Sequence, residues 1–157
     1  ANKTFLLEWW RLLVTVNNEQ LTSEDIRLLG AAVAGNYKLK HEDRVLRNVV
    51  PFLGMATENS LASRLSIWHS GGSHSKVFDN DEDILDFSKM SNFGFEMGQL
   101  LKDPISLNPV LLYLFHRIQI SLDGTPTMLV LDEAWALIDN PIFGPKIKDW
   151  LKFDTNF

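Results

Sequence analysis

Polar positions are sparse and regularly spaced at the start of the chain. In residues 4–16 (TFLLEWWRLLVTV) the polar side chains Thr4, Glu8, Arg11 and Thr15 recur at intervals of three and four. They form one narrow stripe on a helix whose remaining surface is apolar, so the helix must be covered on most sides by its own chain or by a partner. Thr22 stands three residues before Asp25, the spacing at which a hydroxyl and a carboxylate cap a helix start. Ile26, Leu29 and Val33 then make an apolar face, and Gly35-Asn36 closes the helix. A third helix is predicted from Glu42 to Val50, stopping before Pro51. A fourth starts near Asn59, with Leu61, Leu65 and Trp68 on one side.

The pattern changes after His69-Ser70-Gly71-Gly72-Ser73-His74-Ser75, which reads as a loop. Val77-Phe78, Ile84 to Phe87 and Phe93 to Met97 have the texture of short strands between acidic or glycine turns. Asn108 to Leu122 is helical, and Asp123-Gly124-Thr125-Pro126 is a turn. Thr127 to Leu131 is then a short apolar strand of the kind buried in parallel sheets. A last helix runs from Pro141 to Lys152. No internal repeat or low-complexity tract interrupts this order.

With 157 residues, 45% of them hydrophobic, the chain is long enough for a packed core. Fifteen Lys plus Arg against twenty Asp plus Glu leave a net charge of −5, which disfavours a surface dedicated to nucleic acid. There is no cysteine, hence no disulfide framework and no thiolate metal site. The longest apolar run, Val110 to Phe115, falls far short of the roughly 20 residues that span a bilayer. The chain starts Ala1-Asn2-Lys3-Thr4 and stops at Phe157, which predicts a piece of a longer protein.

The sharpest chemistry lies in Met128-Leu129-Val130-Leu131-Asp132-Glu133. Four apolar residues on a strand would deliver two adjacent carboxylates to its C-terminal end, where open α/β sheets bind ligands. In P-loop ATPases this is the Walker B arrangement, with the Asp holding hydrated Mg²⁺ and the Glu orienting or deprotonating the attacking water. A strand followed by an acidic helix start gives the same hexapeptide with no catalysis. The phosphate-cradling Gly-x-x-x-x-Gly-Lys-Ser/Thr is missing, and no Gly-Lys pair occurs in the chain. Gly71-Gly72-Ser73-His74-Ser75-Lys76 has the wrong spacing and follows a helix rather than a strand.

Other patterns point to ordinary structure. Asp79-Asn80-Asp81-Glu82-Asp83 begins like a calcium loop, but Ile84 and Met90 occupy the positions that need Gly and Glu, so a solvated turn is expected. His69 and His74 lack further ligands, and His41 and His116 stand alone. Ser60, Ser63 and Ser66 have no His-acid pattern beside them.

Several stretches, in order, resemble one family. They are Gly35-Asn36-Tyr37, Pro51-Phe52-Leu53-Gly54, Leu61-Ala62-Ser63-Arg64-Leu65 and Phe78-Asp79-Asn80 in the first half. In the second half they are Leu111 to Ile118, Leu122 to Thr127, Val130-Leu131-Asp132-Glu133-Ala134-Trp135 and Ile147-Lys148-Asp149-Trp150. Together they look like the large ATPases of bacterial type IV secretion systems, the conjugal-transfer TrbE/CagE-type proteins encoded by VirB operons. The resemblance implies an α/β, helix-rich fold: the Walker B half of a RecA-like P-loop NTPase core with an all-α insertion. Residues 1–75 would be the insertion and 76–157 the returning core. Asp132 would be the Mg²⁺-associated Asp and Glu133 the catalytic Glu. ATP and Mg²⁺ would bind in the parent, with Walker A upstream of Ala1 and an arginine finger beyond Phe157, so the chain alone is expected to hold neither and to be inactive. After Lys152 the family continues a basic helical turn, where this chain has Phe153-Asp154-Thr155-Asn156-Phe157.

The parent is thus expected to energise type IV secretion as a hexamer at the cytoplasmic face of the inner membrane, with other secretion subunits as partners and no direct contact with nucleic acid. The alternatives are a DNA-translocating ATPase of the coupling-protein, FtsK or HerA type, which the acidic charge does not favour, and a non-catalytic interaction module that docks through the apolar helix 4–16.

Overall fold

The computed structural model describes residues 2–87, 92–132 and 135–153. The chain divides into two compact units, residues 1–86 and 87–157.

The first unit begins with α1 (Asn2–Leu13) and α2 (Ser23–Asn36), which pack on each other. The capping box read from the sequence is formed: Asp25 N–H donates to Thr22 Oγ1 at 3.1 Å, and Thr22 N–H donates to Asp25 Oδ2 at 2.9 Å. Two backbone donors of the first turn are thereby satisfied at once. The buried face of α2 is Leu29, Ala32, Val33 and Asn36, while Ile26 is exposed. The buried face is therefore rotated from the predicted one, taking in Ala32 and Asn36 and leaving Ile26 outside. On α1, Trp10 and Leu13 are buried and Phe5, Leu6, Leu7 and Trp9 half-buried. The core of the unit takes Trp10 and Leu13, and the other apolar positions are partly covered.

The predicted third helix does not form. Residues 41–53 make three short 3-10 turns, His41–Asp43, Leu46–Asn48 and Val50–Leu53, with Pro51 inside the last. Leu46, Val49 and Leu53 are all buried, and Pro51, which lacks a backbone N–H and disfavours helical backbone at the residue before it, keeps the stretch from running as one helix. The fourth helix is α3 (Leu61–Leu65), capped by Ser60 and prolonged by a 3-10 turn, Ser66–Trp68. Trp68 is fully buried, and its indole Nε1–H donates to the Leu13 carbonyl at 2.8 Å. The same ring meets His74 and Phe78, with centroids 5.4 Å away in each case, and Phe78 meets Trp9 edge-on at 4.8 Å. Val77-Phe78 is accordingly part of a helical turn, α4 (Ser75–Phe78), and not a strand.

The second unit is organised by α5 (Pro104–Ser121). It starts four residues before the predicted Asn108 because Asp103 Oδ1 accepts from the N–H groups of Ile105 and Ser106, each at 3.2 Å, and Pro104 takes the first helical position. Leu111 and Phe115 of α5 form a core with Leu137 and Phe143, ringed by Met97, Leu101, Leu107, Ile142 and Ile147. Leu137 belongs to α6 (Trp135–Ile138), a single turn, and Phe143 opens α7 (Phe143–Phe153).

No strand forms among the described residues, so the α/β expectation holds only as far as its helix-rich part. Ile84 to Asp86, Phe93 to Met97 and Thr127 to Leu131 have no regular secondary structure. A strand exists only when a neighbour accepts its N–H and C=O groups, and the described residues provide none. Phe93 instead meets Phe87 with ring centroids 4.7 Å apart, and Phe95 meets Phe87 at 6.1 Å.

Replacing Trp68 with Phe keeps most of the ring but leaves the Leu13 carbonyl without its donor. The expected cost is about 1–3 kcal/mol, read by urea denaturation of the whole chain. A loss under roughly 0.5 kcal/mol, no more than an ordinary surface substitution, would show that the bond contributes nothing.

Candidate functional site

The second unit carries the candidate carboxylates. The chain leaves α5 at Ser121 and turns at Asp123, whose Oδ1 accepts from Thr125 N–H at 2.9 Å. The hydrogen bonds from Thr125 hold the Asp123 carboxyl below its ordinary value. Then comes the apolar run, which is not buried as predicted. Met128 and Val130 are 86% and 75% exposed, while Leu129 and Leu131 are 44% and 37% exposed. All four are exposed, Met128 and Val130 most of all, so the run presents apolar side chains to solvent along its length.

Asp132 comes directly after this run, exposed and in a turn. Glu133, the expected catalytic carboxylate, lies outside the described residues. The two are therefore not brought together by any described geometry. Among the described residues no group of three or more His, Asp or Glu side chains is arranged to hold a metal ion. A single exposed carboxylate fits a hydrated Mg²⁺, a hard cation that keeps several waters and binds proteins through one or two carboxylates plus substrate phosphates. The phosphate cradle has no counterpart in this chain.

The stretch from α6 to α7 is better defined. After α6, Asn140 Oδ1 accepts from the N–H groups of Ile142 (2.8 Å) and Phe143 (3.0 Å), which caps the entry to α7. Its amide nitrogen donates to Asn108 Oδ1 on α5 at 2.7 Å. Gly144 sits so close to α6 that a Cβ there would collide with the Ile138 carbonyl oxygen. Asn140 was legible as a cap, since it stands just before Pro141 and an amphipathic run. Its partner Asn108, 32 residues earlier, was not.

The remaining sequence candidates resolve into structure. Asp79 is not a solvated loop residue. Its side chain is only 8% exposed, its Oδ1 pairs with Arg47 Nη1 at 3.2 Å, and its Oδ2 accepts from Ser70 N–H at 3.0 Å. Asp81 also pairs with Arg47, so one arginine of the same chain holds two of the loop's carboxylates. His69 and His74 each bond a neighbouring serine hydroxyl through Nδ1 and do not converge. His116, half-buried on α5, is held below the ordinary imidazole value by burial, with Arg117 and Lys146 adding like-charge repulsion. No helix among the described residues is long and apolar enough to cross a membrane.

Comparison with known proteins decides the relationship. The chain is 31% identical over 151 residues to the type IV secretion system protein virB4 of Bartonella henselae, a match covering 96% of this chain and 19% of that protein. It is 31% identical over 156 residues to the conjugal transfer protein TrbE of Rhizobium radiobacter, covering 97% of this chain and 18% of TrbE. With the type IV secretion system protein PtlC of Bordetella pertussis it shares 31% identity over 150 residues, or 90% of this chain and 18% of PtlC. This chain is homologous to one segment of the VirB4, TrbE and PtlC proteins. The resemblance read from its residues is borne out along nearly the whole chain. The segment spans about a fifth of the length of these curated relatives. No family model matches this VirB4/TrbE/PtlC-like segment, and no solved structure matches it significantly.

His116 gives a pH prediction. Its pKa is lower folded than unfolded, so the unfolded chain binds the proton first as pH falls. Stability is unaffected above pH about 6.5 and declines below it. Urea denaturation at pH 7.5 and pH 5.5 should show a smaller difference for His116→Gln than for the parent sequence. An equal difference in both would remove His116 as the cause.

Proposed function

We propose that this chain is the Walker B segment of an ATPase that powers type IV secretion, whether conjugative transfer or effector export. The observation that carries the reading is the match to VirB4, TrbE and PtlC over nearly all of the chain, with Asp132-Glu133 directly after the apolar run 128–131. In this reading residues 1–75 are an all-helical insertion and 76–157 part of a RecA-like core. The open face of Met128 and Val130 is then the side that further sheet and helices of a longer protein cover. The assembly is a hexamer at the cytoplasmic face of the inner membrane, beside other secretion subunits.

Magnesium-bound ATP, when present in the longer protein, supplies the phosphoanhydride that is cleaved and the cation that offsets its charge. Asp132 offers a hard oxygen donor to the cation's hydration shell. Glu133 orients a water by accepting its hydrogen bond and takes its proton as the water attacks. Neither residue grips the phosphates, so affinity must come from groups elsewhere in the longer protein.

Two outcomes test this. The 157-residue chain alone should neither bind nor hydrolyse ATP; a fluorescent-nucleotide titration giving micromolar, Mg²⁺-dependent affinity would overturn that. In a full-length natural protein carrying this segment, Glu133→Gln should lower ATP turnover by roughly 10²–10⁴-fold, the range for losing a general base. Nucleotide binding should persist. Retention of full turnover would refute the assignment.

A further inference from the structure

We propose that Asn108 and Asn140 form a tether that positions the segment carrying Asp132, which makes both of them positioning residues for the hydrolysis proposed above; the inference rests on that reading. The segment from Leu122 onward leaves the C-terminal end of α5, and α6 begins three residues after Asp132. Only four residues long, α6 has no stability of its own. It is placed by Leu137 in the core and by the elbow at Asn140, whose N–H donates to the Leu137 carbonyl at 3.0 Å and whose carbonyl accepts from Gly144 N–H at 3.0 Å. The Asn140–Asn108 bond ties that elbow back to α5. The chain before Asp132 is thus fixed to α5 by continuity at Ser121, and the chain after it by the bond from Asn140. Fixing both ends restricts the conformations the carboxylate samples, and restricted conformation is what a positioned catalytic group requires.

The choice of residues supports the tether. Capping α7 uses only the Asn140 Oδ1, and Ser, Thr or Asp would serve as well. The amide N–H, which the cap does not need, is what reaches Asn108. Asn108 itself lies inside α5, where Asn is a poorer helix former than Ala. Asn at both positions is explained by the bond between them and not by local helix preference.

The test removes the tether without harming either helix. Asn108→Ala deletes the acceptor and improves helix propensity, and Asn140→Ser keeps the cap but is too short to reach α5. In the 157-residue chain, each should speed exchange of the hydrogen-bonded amides at positions 140 and 144 by about 10-fold, with α5 unchanged. In a full-length natural protein carrying the segment, each should lower kcat for ATP roughly 3- to 30-fold with KM within twofold. Asn140→Asp, which keeps the cap and can accept from a flipped Asn108 amide, should restore both readouts. Unchanged exchange at positions 140 and 144 overturns the tether. Faster exchange with unchanged kcat overturns its catalytic role, as does a rise in KM together with general unfolding. Glu133→Gln serves as the control: if it leaves turnover intact, the ATPase reading has failed, and the exchange result still decides the tether.

Discussion

The first unit depends on one hydrogen bond, from the Trp68 indole to the carbonyl of Leu13, 55 residues away. A helix leaves its last carbonyls without intrahelical donors, and a buried one costs free energy unless something else donates to it. The end of α1 is buried, with Leu13 and Val14 fully enclosed. Trp68 satisfies the carbonyl and fills the space beside it. From that ring the aromatic contacts run to His74 and Phe78 and on to Trp9, so residues 69–78 are folded back over α1. Arg47 then clasps Asp79 and Asp81, and Asp79 holds the Ser70 amide. A stretch that could pass for a calcium or phosphate loop is committed to closing its own unit.

The second unit is built around one helix and left open at one face. Leu111 and Phe115 of α5, with Leu137 and Phe143, make a small core, and the asparagine pair fixes the elbow between α6 and α7. Beside this ordered part lie Met128 and Val130, both apolar and both exposed. An apolar run so exposed is what the proposed function has further parts of a longer protein cover. It fits a segment that matches about a fifth of each relative's length.

Local signals proved readable where the chemistry is local. Thr22 with Asp25 and the loop after Trp68 fall where the residue types put them, because caps and turns are settled within three or four positions. The start of α5 was missed by four residues, although Asp103-Pro104 is itself a local cap signal. Residues 42–50 read as a helix, yet the chain makes separate 3-10 turns there, with Pro51 inside the last of them and Leu46, Val49 and Leu53 buried. The strand texture of 77–78 gave way to the pull of Trp9 and Trp68 on Phe78. For the candidate site, Asp132 was found from its place after four apolar residues, but the Asn108–Asn140 bond was not, since nothing in either neighbourhood names the other.

By itself the sequence carried the resemblance to one family and nominated the candidate carboxylate. Both rest on the identity and order of residues, which can be read without knowing the surrounding packing. It also determined the helix caps, whose partners lie within a turn. The tertiary structure alone decided which acidic residues are consumed in ion pairs, which face of α2 is buried, and that the run 128–131 stands open in this chain. Those outcomes depend on contacts between residues far apart in sequence, and burial is a property of what lies opposite a residue, not of the residue.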